Sequence, residues 1–163
     1  MAAEEVQRRG RRPAVTFYDE VGGYDTFQRI VDVFYREVAV DPVLKPMYPE
    51  EDLGPAAERL TMFLVQYWGG PTTYGERRGH PRLRMRHVPF HIDPDARDRW
   101  LAHMRTALDE VKLSPLHEAT LWDYLERAAY AMVNTFEPSG IGRVPSSRPT
   151  LEHRIPTEST ETE

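Results

Sequence analysis

The chain has 163 residues, enough for one domain with its own core, and it contains no cysteine. Disulfide bonds, thiolate metal sites and cysteine nucleophiles are therefore excluded. The formal net charge of −5 argues against general binding to nucleic acid, and no apolar stretch reaches the length of a membrane span.

The two ends of the chain differ in composition from its middle. Residues 1–15 carry four arginines among few apolar side chains, which predicts a disordered basic arm and offers no apolar run for a secretory signal. Residues 138–163 contain four prolines and end in an acidic run, which predicts a disordered tail. We therefore expect one folded domain over residues 16–137, in a cytoplasmic protein.

The first two predicted helices cover residues 26–39 and 55–68, where apolar residues recur at helical spacing. Two glycines at 22–23 allow a sharp turn before the first helix. Asp-Pro at 41–42 ends that helix, because a residue before proline avoids helical backbone. The second helix begins with proline and is stopped by Gly-Gly-Pro at 69–71.

Two further helices are predicted over residues 94–112 and 115–136. Each begins with a proline directly after a polar residue, Asp93 or Ser114, and this combination is typical of a helix start. Each also carries an apolar stripe, and the stripe of the last helix continues to Phe136. No segment alternates apolar and polar residues for long enough to predict a strand, so the fold class is all-α.

An irregular segment, residues 69–92, separates the second and third predicted helices. It is rich in glycine and proline and holds five arginines, and a long loop inside a compact domain usually has a function. A short helical turn fits between Pro81 and Pro89, and it would carry His87. An imidazole beside arginines suits a flat apolar cofactor with anionic edges, since arginine pairs with carboxylates.

The residues leave a second interpretation of the same segment open. His87 and His91 lie four positions apart, the spacing of the two histidines in a zinc-binding helix. Pro89 lies between them, however, and the accompanying glutamate of such a helix is missing.

Five motifs resemble the group II, or O-type, truncated haemoglobins of actinobacteria, and the resemblance covers residues 16–137. They are FYDEVGG at 17–23, FY at 34–35, MYPE at 47–50, QYWGGP at 66–71 and GHPRLRMRH at 79–87. The resemblance implies a two-over-two helical sandwich around haem b. The four predicted helices would be helices B, E, G and H of that fold. A short helix A would occupy residues 17–22, and the turn at His87 would be helix F.

The same resemblance implies roles for individual residues. His87 would be the proximal iron ligand. Tyr35, Tyr48 and Trp100 would donate hydrogen bonds to the iron-bound ligand. Ala56 would either pack a helix or leave an entrance for small ligands. The remaining residues expected to contact haem are Leu60, Phe63, Tyr67 and Met104 in the pocket and Arg59, Arg84 and Arg86, with Arg86 preferred, at the propionates.

The implied function is reversible binding of dioxygen and other diatomic ligands at a pentacoordinate iron, for storage, transport or sensing. Nitric oxide dioxygenation or peroxide turnover, supported by an external reductase, is the alternative. A third hypothesis needs no haem and treats the arginine-rich segment as a partner surface of a helical interaction module. Self-association into a homo-oligomer stays open, because the sequence does not indicate an oligomeric state.

Overall fold

The computed structural model describes residues 13–136, so the predicted tail and all but the last residues of the predicted arm lie outside the described residues. All regular elements in this range are helical. None of these helices is long and apolar enough to span a membrane. The elements are α1 (Phe17–Glu20), α2 (Tyr24–Val38), a 3-10 turn (Lys45–Met47), α3 (Gly54–Tyr67), α4 (Thr73–Arg78), α5 (Leu83–His87), α6 (Pro94–Val111) and α7 (Pro115–Met132).

Local signals in the sequence explain where the helices begin. The Asp93 side chain accepts a hydrogen bond from the Ala96 backbone N–H at 2.8 Å, which caps α6. Thr16 and Asp19 form a reciprocal capping box at the start of α1. Prolines occupy the first turns of α3, α6 and α7, where a missing backbone N–H costs no helical hydrogen bond. The predicted starts of the four long helices are therefore confirmed to within two residues.

The long helices form two pairs around one apolar core. Helix α2 packs against both α3 and α6, and α6 packs against α7. Phe27 and Phe34 of α2 are completely buried, as are Met104 and Leu108 of α6. This stripe on α2 is the one that its apolar spacing predicts.

The predicted end of the last helix is wrong. Helix α7 stops at Met132, and Phe136 is 81% exposed instead of continuing the core face. The reason is a competing set of hydrogen bonds. The backbone N–H groups of Asn134 and Thr135 both donate to the Ile92 carbonyl, at 2.9 and 3.0 Å, which turns the chain out of the helix.

The irregular segment contains more structure than the sequence predicts. The expected turn at His87 is present as α5, but α4 precedes it and was not predicted. Helix α4 is stabilised by contacts with residues outside the helix. The Gly75 backbone N–H donates to the Gln66 side chain at 2.7 Å, and Tyr74 is buried. So short a helix depends on such tertiary contacts rather than on helical propensity.

Replacing Phe27 by alanine tests the core. A fully buried phenylalanine that becomes alanine leaves a cavity, so we expect a loss of about 3–5 kcal/mol in the free energy of unfolding. Phe136→Ala makes the same chemical change at an exposed position, and we expect it to stay within about 0.5 kcal/mol of the wild type. Denaturant unfolding measures both, and equal losses in the two variants would contradict the described packing.

Candidate functional site

A cavity of about 410 Å³, partly open to solvent, lies among α2, the 3-10 turn and the five helices from α3 to α7. This size lies in the range of small-molecule and cofactor pockets. The wall is mostly apolar, with one imidazole, four phenols, an indole and four guanidinium groups among its polar members. Such a wall suits a flat, largely apolar ligand that carries a few anionic groups.

Most of the residues predicted for the site line this cavity. Nine of the twelve do so, although they come from segments far apart in the sequence. They are Tyr35, Tyr48, Ala56, Arg59, Leu60, Phe63, Arg86, His87 and Trp100.

The structure does not bring the other three predicted residues to the cavity wall. Met104 is completely buried in the core between α2 and α6. Tyr67, the last residue of α3, is 52% exposed and stacks on Tyr124. Arg84 is exposed, because the cavity-facing side of α5 carries Leu83 and His87 instead. Helical spacing put Tyr67 and Met104 on the expected faces but did not indicate how far the cavity extends along them.

One hydrogen bond fixes the tautomer of His87. Its Nδ1 lies 2.5 Å from the Leu83 backbone carbonyl. A carbonyl oxygen only accepts hydrogen bonds, so Nδ1 carries a proton, and in the neutral imidazole Nε2 is the nitrogen with the lone pair. Metal-binding histidines are oriented in this way, with one nitrogen donating to a carbonyl and the other free to ligate.

The segment that carries His87 is held by two side chains. Asn134, just after α7, donates to the carbonyls of His87 and Phe90 at 3.2 and 2.9 Å and accepts from the Ile92 N–H at 2.9 Å. Arg86 donates to the carbonyls of Pro81 at 2.7 Å and Arg78 at 2.9 Å. The guanidinium preferred for the propionates therefore also braces the loop before α5.

Three hydrogen-bond donors lie on the part of the wall formed by α2, the 3-10 turn and α6. The rings of Tyr35 and Tyr48 meet edge to face with their centroids 5.6 Å apart. Trp100 packs edge to face on Phe34, at 5.4 Å. Burial raises the pKa of both phenols above its ordinary value, and for Tyr35 the neighbouring Tyr48 adds to that effect. Both phenols therefore stay protonated and able to donate at neutral pH.

A buried carboxylate links the two segments that carry Tyr48 and Trp100. Asp41, at the end of α2, accepts hydrogen bonds from the backbone N–H groups of Val43 and Leu44 at 2.8 and 3.0 Å. It also accepts from His103 Nε2 at 2.6 Å and from Arg99 at 3.4 Å. The two backbone bonds lie on the segment that leads to Tyr48. The two side-chain bonds come from the turns of α6 that carry Trp100. Sequence reasoning assigned Asp41 only a role in ending a helix.

Two cavity-lining arginines were also not predicted. Arg78 ends α4, and Arg97 lies in the first turn of α6 with its guanidinium carbon 4.2 Å from the centre of the Tyr130 ring. Arg97 lies three residues before Trp100, and helical periodicity therefore contained a signal for it. Arg78 depends on α4, which no pattern in the sequence indicated. The cavity thus has four arginines on its wall, from four different helices.

The alternative metal pair is not assembled as a site. His91 is exposed and does not line the cavity, and its Nδ1 lies 3.5 Å from the Thr135 hydroxyl. Within residues 13–136 no group of three or more histidine, aspartate or glutamate side chains could hold a metal ion.

Comparison with known proteins decides the family. The profile of the family described as Bacterial-like globin matches residues 16–134. This chain belongs to the bacterial-like globin family.

Individual relatives narrow this assignment to group II truncated haemoglobins with the two-over-two helical fold. The solved structure of a thermostable haemoglobin from the actinobacterium Thermobifida fusca is 64% identical, covers 76% of this chain and 100% of that one, and has a TM-score of 0.74. Group 2 truncated haemoglobin YjbI of Bacillus subtilis is 43% identical over 118 residues, 72% of this chain and 89% of the relative. A solved truncated oxygen-avid haemoglobin, also from Bacillus subtilis, is 42% identical, covers 74% of this chain and 100% of that one, and has a TM-score of 0.70.

The globin family implies haem, and the cavity of this chain fits it. A ring-shaped apolar ligand needs an apolar slot, which Leu60, Phe63 and their neighbours provide. The iron needs an imidazole nitrogen with a lone pair, and the bond to Leu83 leaves Nε2 as that nitrogen in the neutral ring of His87. Propionates need cations on the cavity wall, and Arg59 and Arg78 are available there among others.

The Asp41 cluster should make stability depend on acid. Burial alone would raise the pKa of Asp41, but the bonds from Leu44, His103 and Val43 and the charge of Arg99 lower it to about 2, from an ordinary 3.8. Its stabilising contribution is therefore complete above pH 4 and is lost as the pH falls toward 2. The shift corresponds to about 2 kcal/mol.

We expect Asp41→Asn to lower the free energy of unfolding at neutral pH and to flatten its decline between pH 4 and 2. The matched control is Asp123→Asn, which removes an exposed carboxylate paired with Arg127 on α7. That surface pair should contribute less than about 1 kcal/mol. Denaturant unfolding across the acid range measures both, and an unchanged acid profile in Asp41→Asn would contradict this interpretation.

Proposed function

We propose that this protein binds dioxygen and other diatomic ligands reversibly at a haem b group that His87 holds in the cavity. The observation that carries the proposal is the hydrogen bond from His87 Nδ1 to the Leu83 carbonyl. It makes Nε2 the nitrogen that can ligate iron, in a cavity whose wall also holds Tyr35, Tyr48 and Trp100 as hydrogen-bond donors. Ferrous haem held by His87 would supply an iron that can bind a diatomic ligand.

The donors determine how long such a ligand stays. Tyr35, Tyr48 and Trp100 would each donate a hydrogen bond to a ligand that takes on partial negative charge. Each bond contributes on the order of 1 kcal/mol, and more where the acceptor is charged. Two or three bonds that act mainly on the bound state would slow ligand escape by about 10- to 1000-fold.

The rest of the wall would hold and orient the cofactor. Arg59 and Arg78 would be available for the propionates, whereas Arg97 is paired with Asp98. Arg86 is limited by its bonds to three backbone carbonyls. Ala56 is buried in the first turn of α3 at the cavity wall. Its small side chain leaves room there, which favours an entrance for small ligands over a packing role alone.

Slow ligand escape bears on the physiological role. A Bacillus subtilis relative is described as oxygen-avid, and three donors in one cavity favour the same behaviour here. Avid binding suits sensing or storage better than transport, because a carrier must release its ligand readily. A cytoplasmic location, a homo-oligomer and an external reductase stay predictions of the sequence.

Nitric oxide dioxygenation or peroxide turnover is a second candidate. The observation that favours it is the number of oxidisable side chains on or next to the cavity wall, including Trp100, Tyr74 and Tyr124. Sustained turnover of nitric oxide would need electrons from an external reductase. Consumption of nitric oxide by the oxygenated protein, with and without such a reductase, distinguishes this activity from simple ligand binding.

Conservative variants of the donors test the proposal. Tyr35→Phe and Trp100→Phe each remove one donor and keep an aromatic ring. We expect each to raise the oxygen dissociation rate by about tenfold, the equivalent of one good hydrogen bond. Stopped-flow mixing of the oxygenated protein with an oxygen scavenger measures the rate.

Tyr18→Phe is the matched control, because Tyr18 stacks on Phe27 outside the cavity and its hydroxyl should not affect the ligand. If both donor variants dissociate oxygen within about twofold of the wild type, the proposed role of the donors is wrong.

A further inference from the structure

A pair of stacked tyrosines leads from the cavity to the surface. Tyr124 of α7 lines the cavity, and its ring stacks on Tyr67 of α3 with a centroid distance of 4.1 Å and an interplanar angle of 26°. Tyr67 is 52% exposed, although it is a large aromatic residue. Two oxidisable rings in van der Waals contact therefore connect the cavity wall with solvent.

Trp68 holds this tyrosine pair in place. Its ring meets Tyr67 and Tyr124 edge to face, at 5.2 and 5.5 Å, and tilts against Phe17 at 4.3 Å. The Trp68 Nε1 is buried and has no hydrogen-bond partner among residues 13–136. A buried indole N–H normally finds an acceptor. Because that of Trp68 finds none among residues 13–136, the ring contacts are what hold Trp68 against the two tyrosines.

A tyrosine ring can be oxidised to a neutral radical only where its phenol proton has an acceptor. A phenol that loses an electron becomes strongly acidic and must release its proton to an acceptor. Burial raises the pKa of Tyr124 to about 12, and Trp68 Nε1 has no acceptor within the described residues. Tyr67 is open to water, which can take the proton. An electron vacancy that enters at Tyr124 is therefore most stable on Tyr67.

We propose that Tyr67 is a surface oxidation site for phenolic or aromatic-amine reductants too bulky for the cavity, with hydrogen peroxide as the oxidant and Tyr124 as the relay. This inference rests on the proposed function in one respect, since it requires haem in the cavity.

Reduction of one hydrogen peroxide to two water molecules consumes two electrons and two protons. Each electron comes from a Tyr67 phenol by way of Tyr124, and each phenol releases one proton and becomes a phenoxyl radical. A phenolic reductant in solution then gives one electron and one proton back to Tyr67. Two turns of this cycle use one peroxide and leave two substrate radicals.

Other exposed tyrosines are poorer sites. Tyr130 is 56% exposed, but the guanidinium of Arg97 lies over its ring at 4.2 Å. A cation against the ring face stabilises the electron-rich ring and opposes loss of an electron. Tyr24 is 40% exposed and lies at the start of α2, outside the aromatic cluster. Exposure alone would favour Tyr130, so the site of oxidation distinguishes the relay from random surface chemistry.

Spin trapping on the full-length haem protein tests the proposal. The protein is treated with hydrogen peroxide and a nitrone spin trap, and the modified tyrosine is located by peptide mass spectrometry. We expect the adduct on Tyr67. In Tyr124→Phe, which keeps the stacked ring and the Tyr67 phenol, we expect that adduct to be lost, because the relay phenol is gone. In Tyr24→Phe, the matched control, we expect the adduct on Tyr67 to be unchanged.

Oxidation of reductants of different size tests separately whether Tyr67 is the oxidation site. In Tyr67→Phe we expect peroxide-driven oxidation of a bulky phenol to be lost, while oxidation of a reductant small enough to enter the cavity is retained. Haem content, from the pyridine haemochrome spectrum, and oxygen binding are measured on every sample. Absent haem would overturn the proposed function. In a protein that binds haem and oxygen, three results would overturn the relay alone. They are an adduct on Tyr130 or Tyr24, no adduct at all, and an adduct on Tyr67 that persists in Tyr124→Phe.

Discussion

The hydrogen bond between His87 Nδ1 and the Leu83 carbonyl is the interaction on which the site depends. It links positions four apart on α5 and determines which imidazole nitrogen keeps a lone pair. A helix of five residues is not stable alone, so this bond needs external support. Asn134 gives that support by joining the segment after α5 to the end of α7. The His87 side of the cavity is thus built from tertiary contacts rather than from helical propensity.

The other side of the cavity depends on a buried charge. Asp41 is nearly inaccessible to solvent, and an isolated carboxylate there would be costly. That cost is offset by hydrogen bonds from two backbone N–H groups and from the side chains of His103 and Arg99. Because these partners belong to the segment before Tyr48 and to α6, the same bonds fix two of the donors relative to each other. Removing one partner would leave the buried charge partly unsatisfied, which would destabilise the fold.

Prediction from the sequence succeeded where the signal was local or carried by a motif. The prolines that begin α6 and α7 and the apolar stripe of α2 led to the correct helices, and the GHPRLRMRH motif led to the family. Prediction failed where distant residues decide the structure. The end of α7 depends on the Ile92 carbonyl, and α4 depends on Gln66. Tyr67 shares a helical face with cavity residues, yet its ring turns to Tyr124, and no one-dimensional pattern shows that choice.

The role of His87 is tested by the absorption spectrum of the ferrous protein in wild type and in His87→Gly, each with and without added imidazole. We expect a five-coordinate haem spectrum for the wild type that changes on adding oxygen. We expect His87→Gly to lose this spectrum and free imidazole, which can fill the space left by the side chain, to restore it. A His87→Gly protein that keeps haem and the wild-type spectrum without imidazole would show that His87 does not hold the iron.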